Sequence, residues 1–350
     1  MNNQNFALIK PTSTTFERSS GWSGVSDEDL KRRATKAARD RDLVELVGLV
    51  EAYLLTVAGR PSSSLKTTLA NYASAIKVWL EYSGGVSLLE PPRNHGITWV
   101  ASLRAATKDD DRSPLFAPST IALRIAAVKT LYKALRWTDA SDAEPMRDTR
   151  APKDQRERWE RRISYRLDTL AVLFEHATLE EQVLVLLCAD AGLRVFEAVV
   201  VSANDVVTVE GTLSIRVRHG KGGKARIARA SLRLIRAISK LEAQPKVRGR
   251  GRPRKGGSLL GCTTVTARTM MKNLIERVIE NEKFSPEAVK ALELQYKGIH
   301  ALRHTAGTRI ARETNDPIAV RDHLGHSSIV VSEVYMDRDR SKLDGVANWD

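Results

Sequence analysis

Through roughly the first 140 residues, apolar positions recur every three to four residues, the spacing of helices with one buried face. Ser26-Asp27-Glu28-Asp29 marks a helix start, with a carboxylate three residues after a capping serine. The helical pattern continues through Leu43, Leu46, Val47, Val50 and Leu54, and residues 59–64 break it. Leu65, Leu69, Tyr72, Ile76 and Trp79 form a second stripe that ends at Gly84-Gly85. A short helix is expected over residues 98–106, followed by a polar loop over residues 108–112. Pro118-Ser119-Thr120 opens another helix, with Ile121, Ile125, Val128, Tyr132 and Leu135 on one face. The predicted organisation is a polar, flexible arm over residues 1–25 and an all-helical domain over 26–145. A charged linker, with Pro145 near its start and Pro152 within it, covers 146–163.

The pattern changes after residue 164. Helices are expected at 168–176 and 180–191. Short alternating segments then follow at 206–209, 212–217 and 225–230, the first two flanking the turn Glu210-Gly211. Further helices are expected at 231–241, 266–282, 301–313, 317–324 and 328–335. The fold class is therefore mainly α with a small antiparallel β-sheet (α+β), and the second domain covers 164–350.

Charge narrows the partner. Lys and Arg total 56 against 42 Asp and Glu, a net charge of +14. A surplus of that size points to a polyanion, because each phosphate neutralised releases condensed counterions. Charge alone does not separate DNA from RNA. The two cysteines, Cys188 and Cys262, are too few for a disulfide framework or a zinc site. No stretch approaches the length of apolar chain that spans a bilayer, and the first 20 residues lack the apolar core of a signal peptide. A soluble, cytoplasmic, nucleoid-associated protein is expected, with no membrane partner.

Candidate chemistry lies in separated motifs of the second half. Arg194 sits in Gly192-Leu193-Arg194-Val195-Phe196-Glu197, and a guanidinium there can grip a phosphate bidentately. His300 and Arg303 are three residues apart at a helix start and share a face. Leu324-Gly325-His326 precedes Tyr335 by nine residues. Each motif alone is weak. An isolated arginine is most often a surface or capping residue, and an isolated late tyrosine is most often a packed aromatic. Together they supply a nucleophile and cations for a phosphodiester without a metal. No Asp, Glu, His or Cys cluster has ligand spacing, so neither metal nor cofactor is expected.

In that order the set resembles the tyrosine recombinase (phage integrase) family, and specifically its Xer-like members. The resemblance covers roughly residues 40–340 and is specific only in the second half. It implies a helical core-binding domain and a catalytic domain closing as a C-shaped clamp on duplex DNA. The implied catalytic residues are Arg194, Lys221, His300, Arg303, His326 and Tyr335. Glu197 matches the acidic residue that braces the first arginine, whereas Phe196 departs from the small or polar residue usual there. Lys221, in the basic turn His219-Gly220-Lys221-Gly222-Gly223-Lys224, falls where the family places a lysine that protonates the leaving 5′ oxygen, with Lys224 as the fallback. His304 reads as a packed or supporting residue. The implied reaction makes a 3′-phosphotyrosine on Tyr335 and a free 5′ hydroxyl, which then attacks in a partner strand, with no ATP. Type IB topoisomerase-like relaxation and non-catalytic, sequence-specific DNA binding are the alternatives.

Other positively charged positions are candidates for DNA contact. Arg250-Gly251-Arg252-Pro253, followed by Arg254 and Lys255, resembles an AT-hook for narrow minor grooves. The same loop can equally touch phosphates at large. In the helical domain, Lys66, Lys77, Arg124 and Lys129 are candidate phosphate contacts or ordinary solvated charge. After Tyr335, Leu343, Val346 and Trp349 form a short amphipathic tail that can dock on a neighbouring subunit or on its own domain. Strand exchange coordinates four tyrosines, so a tetramer on paired recombination sites is expected.

Overall fold

In a computed structural model, the described residues are 21–22, 24–62, 65–109, 112–156, 163–218, 225–244, 257–281, 284–326 and 328–336. The chain divides into two compact units, Met1–Gln155 and Arg156–Asp350.

The first unit is helical among the described residues: α1 Asp27–Asp40, α2 Leu43–Thr56, α3 Leu65–Ser83, α4 His95–Ala105 and α5 Pro118–Trp137. The pattern read as one helical run from residue 26 to 54 is two helices. Arg41 takes a left-handed backbone (φ 54°) that ends α1. Asp42 then caps α2 by accepting from the Val44 and Glu45 amides. The Arg41 guanidinium donates to the carbonyls of Leu80 and Val86, so one residue stops α1 and ties it to the end of α3. Helix α2 is the centre of the unit. It is apolar on nearly every side and packs on α3 and α5. Trp79 on α3 meets Trp99 edge-on, with ring centroids 5.0 Å apart. Gly96 on α4 lies so close to the Pro145 carbonyl that a Cβ would come within 2.0 Å of it.

Two sequence boundaries differ from the structure. Trp22, placed in the flexible arm, is buried with the Arg33 guanidinium 4.3 Å above its ring. Met146, placed in the linker, is buried in the same apolar cluster. Apolar burial holds both residues in the core of the unit.

The second unit begins with α6 Leu167–His176, α7 Leu179–Ala189 and the single turn α8 Val195–Ala198. Three strands follow, β1 Val206–Val209, β2 Thr212–Val217 and β3 Arg226–Arg229, as an antiparallel sheet in that order. The β1–β2 hairpin pairs Val209 with Thr212, and its two turn residues, Glu210 and Gly211, both have positive φ. That is a two-residue turn whose twist suits antiparallel strands. Then come α9 Leu232–Ala243, α10 Thr264–Asn281, α11 Pro286–Ala291, α12 Ile299–Thr314, α13 Pro317–Leu324 and the short α14 Val330–Glu333. The apolar helix α7 packs against α9, α10 and α12. A smaller cluster of Ala306, Ile310, Ala311, Val320, Leu324 and Tyr335 joins α12, α13 and the chain after α14. Among the described residues, no helix is long and apolar enough to cross a membrane.

Candidate active site

The turn after α7 sets the first arginine. Gly192 adopts φ 65°, and a Cβ there would lie 2.5 Å from Leu324 Cδ2, so both its conformation and its closeness to α13 call for glycine. Arg194 follows as the N-cap of α8. The Glu197 carboxylate accepts from the Arg194 amide at 2.8 Å and from the Arg194 guanidinium at 3.1 Å. Glu197 is fully buried and also receives Arg226 bidentately, at 2.7 and 2.8 Å. Burial alone raises this carboxyl's pKa. Hydrogen bonds from Arg226 and the Arg194 amide, with the charges of both guanidinium groups, bring it below its ordinary value.

Arg226 is the functional candidate that the sequence reading left unassigned. It opens β3, directly after the basic turn, and packs under Gly325, where a Cβ would meet its Cδ at 2.3 Å. Nothing local in the sequence separates it from its basic neighbours. Its carboxylate partner lies 29 residues away.

Arg303, on the buried face of α12, is 2% exposed. Its guanidinium donates to the carbonyl of Gly192 and, at 2.6 Å, to the carbonyl of Leu324. It thereby joins the turn before Arg194 to the turn before His326. Burial first, and then the neighbouring Arg194 and Arg226 charges, lower its pKa to about 10, with Glu197 and Tyr335 acting the other way. It stays cationic at neutral pH. The cluster holds three guanidinium groups, Arg194, Arg226 and Arg303, to one buried carboxylate, Glu197. That excess of positive charge suits an anion.

The histidines lie on two elements. His300 opens α12, and burial with the Arg303 and Arg194 charges lowers its pKa. Its ring meets His304 edge-on at 4.7 Å. His326 follows Gly325, whose left-handed backbone (φ 64°) ends α13. Its Nδ1 is 2.8 Å from the Ser332 hydroxyl, and its ring lies 5.9 Å from that of Tyr335 at 18° between planes. Tyr335 is 7% exposed and rests against Gly307, where a Cβ would come within 2.4 Å of its ring. Its hydroxyl is 2.7 Å from His304 Nδ1. The structure thus gathers Arg194, His300, Arg303, His326 and Tyr335 in the second unit, with Glu197 and His304, both named from the sequence as supporting residues, beside them, and adds Arg226.

Lys221 and Lys224, the loop carrying Arg250, Arg252, Arg254 and Lys255, and the tail carrying Leu343, Val346 and Trp349 lie outside the described residues. In the first unit, Lys66 is exposed and Lys77 pairs with Glu81 at 3.8 Å. Lys129 is half-buried, with its Nζ 3.5 Å from the Thr149 carbonyl. Arg124 is a packed cation rather than a solvated one. Its guanidinium lies 3.9 Å over the Phe116 ring, and burial lowers its pKa.

The profile of the phage integrase family matches residues 166–342, half of the chain. The chain belongs to the phage integrase family, the tyrosine recombinases. Similar family members include tyrosine recombinase XerH of Campylobacter jejuni, 25% identical over 178 residues that make up 49% of this chain and 44% of the relative. Tyrosine recombinase XerC of Pseudomonas putida is 25% identical over 246 residues, 66% of this chain and 73% of the relative. The chain thus spans less than half of the first protein's length and about three quarters of the second's. Among solved structures, XerH site-specific recombinase bound to palindromic difH substrate, a post-cleavage complex, superposes with a TM-score of 0.61 at 15% identity. It covers 98% of this chain and 90% of that one. At that identity the likeness concerns the fold, which this tyrosine recombinase shares.

Proposed function

We propose that this tyrosine recombinase cuts and rejoins duplex DNA at specific sites through a 3′-phosphotyrosine on Tyr335. One observation carries the reading: a buried tyrosine lies beside a cluster with more guanidinium than carboxylate, and a phosphodiester would complete that charge. The Tyr335 oxygen attacks phosphorus and the 5′ oxygen leaves. Arg194 and Arg303 hold the non-bridging oxygens and stabilise the negative charge that builds on them. His300 and His326 contribute further donors, and Lys221 supplies the proton to the leaving oxygen. The free 5′ hydroxyl of a partner strand then attacks the phosphotyrosine. The bond energy is conserved through the protein–DNA linkage, and no ATP is consumed. Four protomers act on two paired sites, and the protein works on the nucleoid.

The test uses nicked duplexes with randomised cores, from which covalent adducts are isolated on denaturing gels and the junctions sequenced. Adducts form in excess EDTA at a defined sequence, and Tyr335→Phe binds DNA without forming them. Adduct formation by the Phe variant overturns the assignment.

A further inference from the structure

His304 emerges from the sequence as a supporting residue, yet its side chain is in hydrogen-bonding contact with the reacting oxygen. Its Nδ1 is 2.7 Å from the Tyr335 hydroxyl across 31 residues of chain. Helix α12 builds a seat for this contact. His304 and Gly307 are three residues apart on one face. Gly307 leaves the space that the tyrosine ring fills, since a Cβ would sit 2.4 Å from Cε1 and 2.8 Å from Cζ. Ala306 and Ile310 of the same helix join Tyr335 in one apolar cluster. The other histidines are oriented differently. His326 turns its ring face to the tyrosine ring and engages Ser332 through Nδ1. His300 packs edge-on against His304.

We propose that His304 is the general base that takes the phenolic proton from Tyr335 during cleavage and returns it during rejoining; this rests on Tyr335 being the nucleophile. A free phenol titrates near 10, so attack at neutral pH needs a proton acceptor or a strong cationic field. In the tautomer with Nδ1 unprotonated, the hydroxyl donates to His304. As the Oη–P bond forms and the P–O5′ bond breaks, the phenolic proton passes to Nδ1, and the departing 5′ oxygen takes a proton from the acid assigned to Lys221. In rejoining, the incoming 5′ hydroxyl loses its proton to that same group, the Oη–P bond breaks, and His304 returns its proton to Oη. His304 is half-buried rather than fully buried, so the imidazolium formed between the two steps carries a smaller desolvation cost than a fully buried one would.

The decisive variant is His304→Asn, in the full-length protein. An asparagine amide can occupy the place of Nδ1 and keep a hydrogen bond to the tyrosine, but it cannot accept the proton. Single-turnover adduct formation is measured on a nicked duplex that the wild-type protein has selected from the randomised pool. We expect the rate to fall about 10²-fold or more, within the range of general acid–base catalysis, with DNA affinity unchanged. Placing a difluorotyrosine at position 335, whose phenol is more acidic, should shrink that deficit by roughly tenfold, following Brønsted behaviour. Wild-type cleavage by His304→Asn, or a deficit that the fluorinated tyrosine leaves untouched, would reduce His304 to a brace. Tyr335→Phe, run alongside, separates the two readings. If it still forms adducts, the nucleophile is wrong. If it forms none while His304→Asn cleaves normally, only the base assignment fails.

Discussion

The two units bury different things. Among the described residues of the first, the interior is aromatic and aliphatic, with Trp22, Trp79 and Trp99 fully buried and Glu51 the one buried carboxylate. The described part of the second buries Glu181, Asp190, Glu197, Asp205 and Arg303. Each of these carboxylates has a basic partner: Arg277 on Glu181 at 2.6 Å, Arg233 on Asp190, Arg194 and Arg226 on Glu197, and Arg218 on Asp205 at 2.6 Å. At Glu197 the partner guanidinium groups are largely buried too, and removing water from both members of such a pair costs several kcal/mol per ion, which the attraction between them offsets only with good geometry. Apolar residues of similar volume hold a core at least as well. The second unit's buried charge is therefore better explained by the orientation it imposes. Glu197 fixes two guanidinium groups, and Arg303 is locked by two carbonyls, so the cationic groups need little rearrangement when an anion arrives.

The largest expected effect breaks the first unit. Trp79→Ala removes a ring packed against Trp99 and His95, each at 5.0 Å between centroids. The loss is about 3–5 kcal/mol of stability, read as lost hydrogen-exchange protection in α2, α3 and α5. A loss under about 1 kcal/mol would show that this core collapses around the gap and that the aromatic cluster is not its anchor.

Arg303→Met should do the opposite in the second unit. It deletes a buried cation and keeps apolar volume. Adduct formation falls by at least about 10²–10³, comparable with losing one oxyanion donor. Relief of desolvation offsets the two lost carbonyl bonds, so the thermal midpoint moves by only a few degrees, about 1 kcal/mol for a unit of this size. A midpoint drop beyond about 10 °C with cleavage retained would make Arg303 a structural residue.

How far the sequence foretold these regions depended on whether the signal was local. The β1–β2 hairpin was legible because Glu210-Gly211 is a turn between two alternating runs, and the strands pair across it as expected. The start of α4 was misplaced by three residues because Asn94 makes no side-chain cap bond. Helix α11 escapes the sequence reading despite Ser285, whose hydroxyl accepts from the Ala288 amide, because its six residues are too few for a helical stripe and none of them is buried. In the site, the motif residues could be named from spacing and resemblance. Arg226 and His304 could not be given their places, since their partners Glu197 and Tyr335 are 29 and 31 residues distant. Contacts of that kind exist only once the chain has folded.

A third prediction concerns pH. His323 is half-buried in the second unit, with Nε2 2.9 Å from the Asp190 carbonyl. Burial pushes its pKa down to about 4, helped by Arg309, Arg303 and Arg226 and opposed by the Asp190 carbonyl. The unfolded imidazole titrates near 6.5. A folded pKa below the unfolded one means that the stability from neutral His323 is fully present above about pH 6.5 and is lost as pH falls toward 4, by about 3 kcal/mol in all. His323→Gln retains an amide donor for the carbonyl. Denaturant unfolding at pH 7 and 4.5 should show a stability difference about 2–3 kcal/mol smaller in the variant than in wild type. A slope persisting there belongs partly to His95 of the first unit, whose pKa burial also lowers. An unchanged slope would mean that His323 is protonated without cost.

The smallest effect sharpens the contrast at the surface. Lys66 and Lys77 are eleven residues apart on α3, close to three helical turns, so they share a face. Lys77 pairs with Glu81 at 3.8 Å, with side chains 54% and 57% exposed, too open for the pair to contribute more than about 0.3–0.5 kcal/mol. Here cohesion and charge are separate, unlike in the second unit, where charged groups sit within the interior. Lys77→Ala should therefore leave the denaturation midpoint within about 0.5 kcal/mol of wild type. If this face lies against a DNA backbone, the same substitution lowers the slope of log K against log salt by about 0.9, one phosphate contact. A slope unchanged in both Lys77→Ala and Lys66→Ala would remove this face of α3 from the DNA interface and leave its lysines as solvated charge.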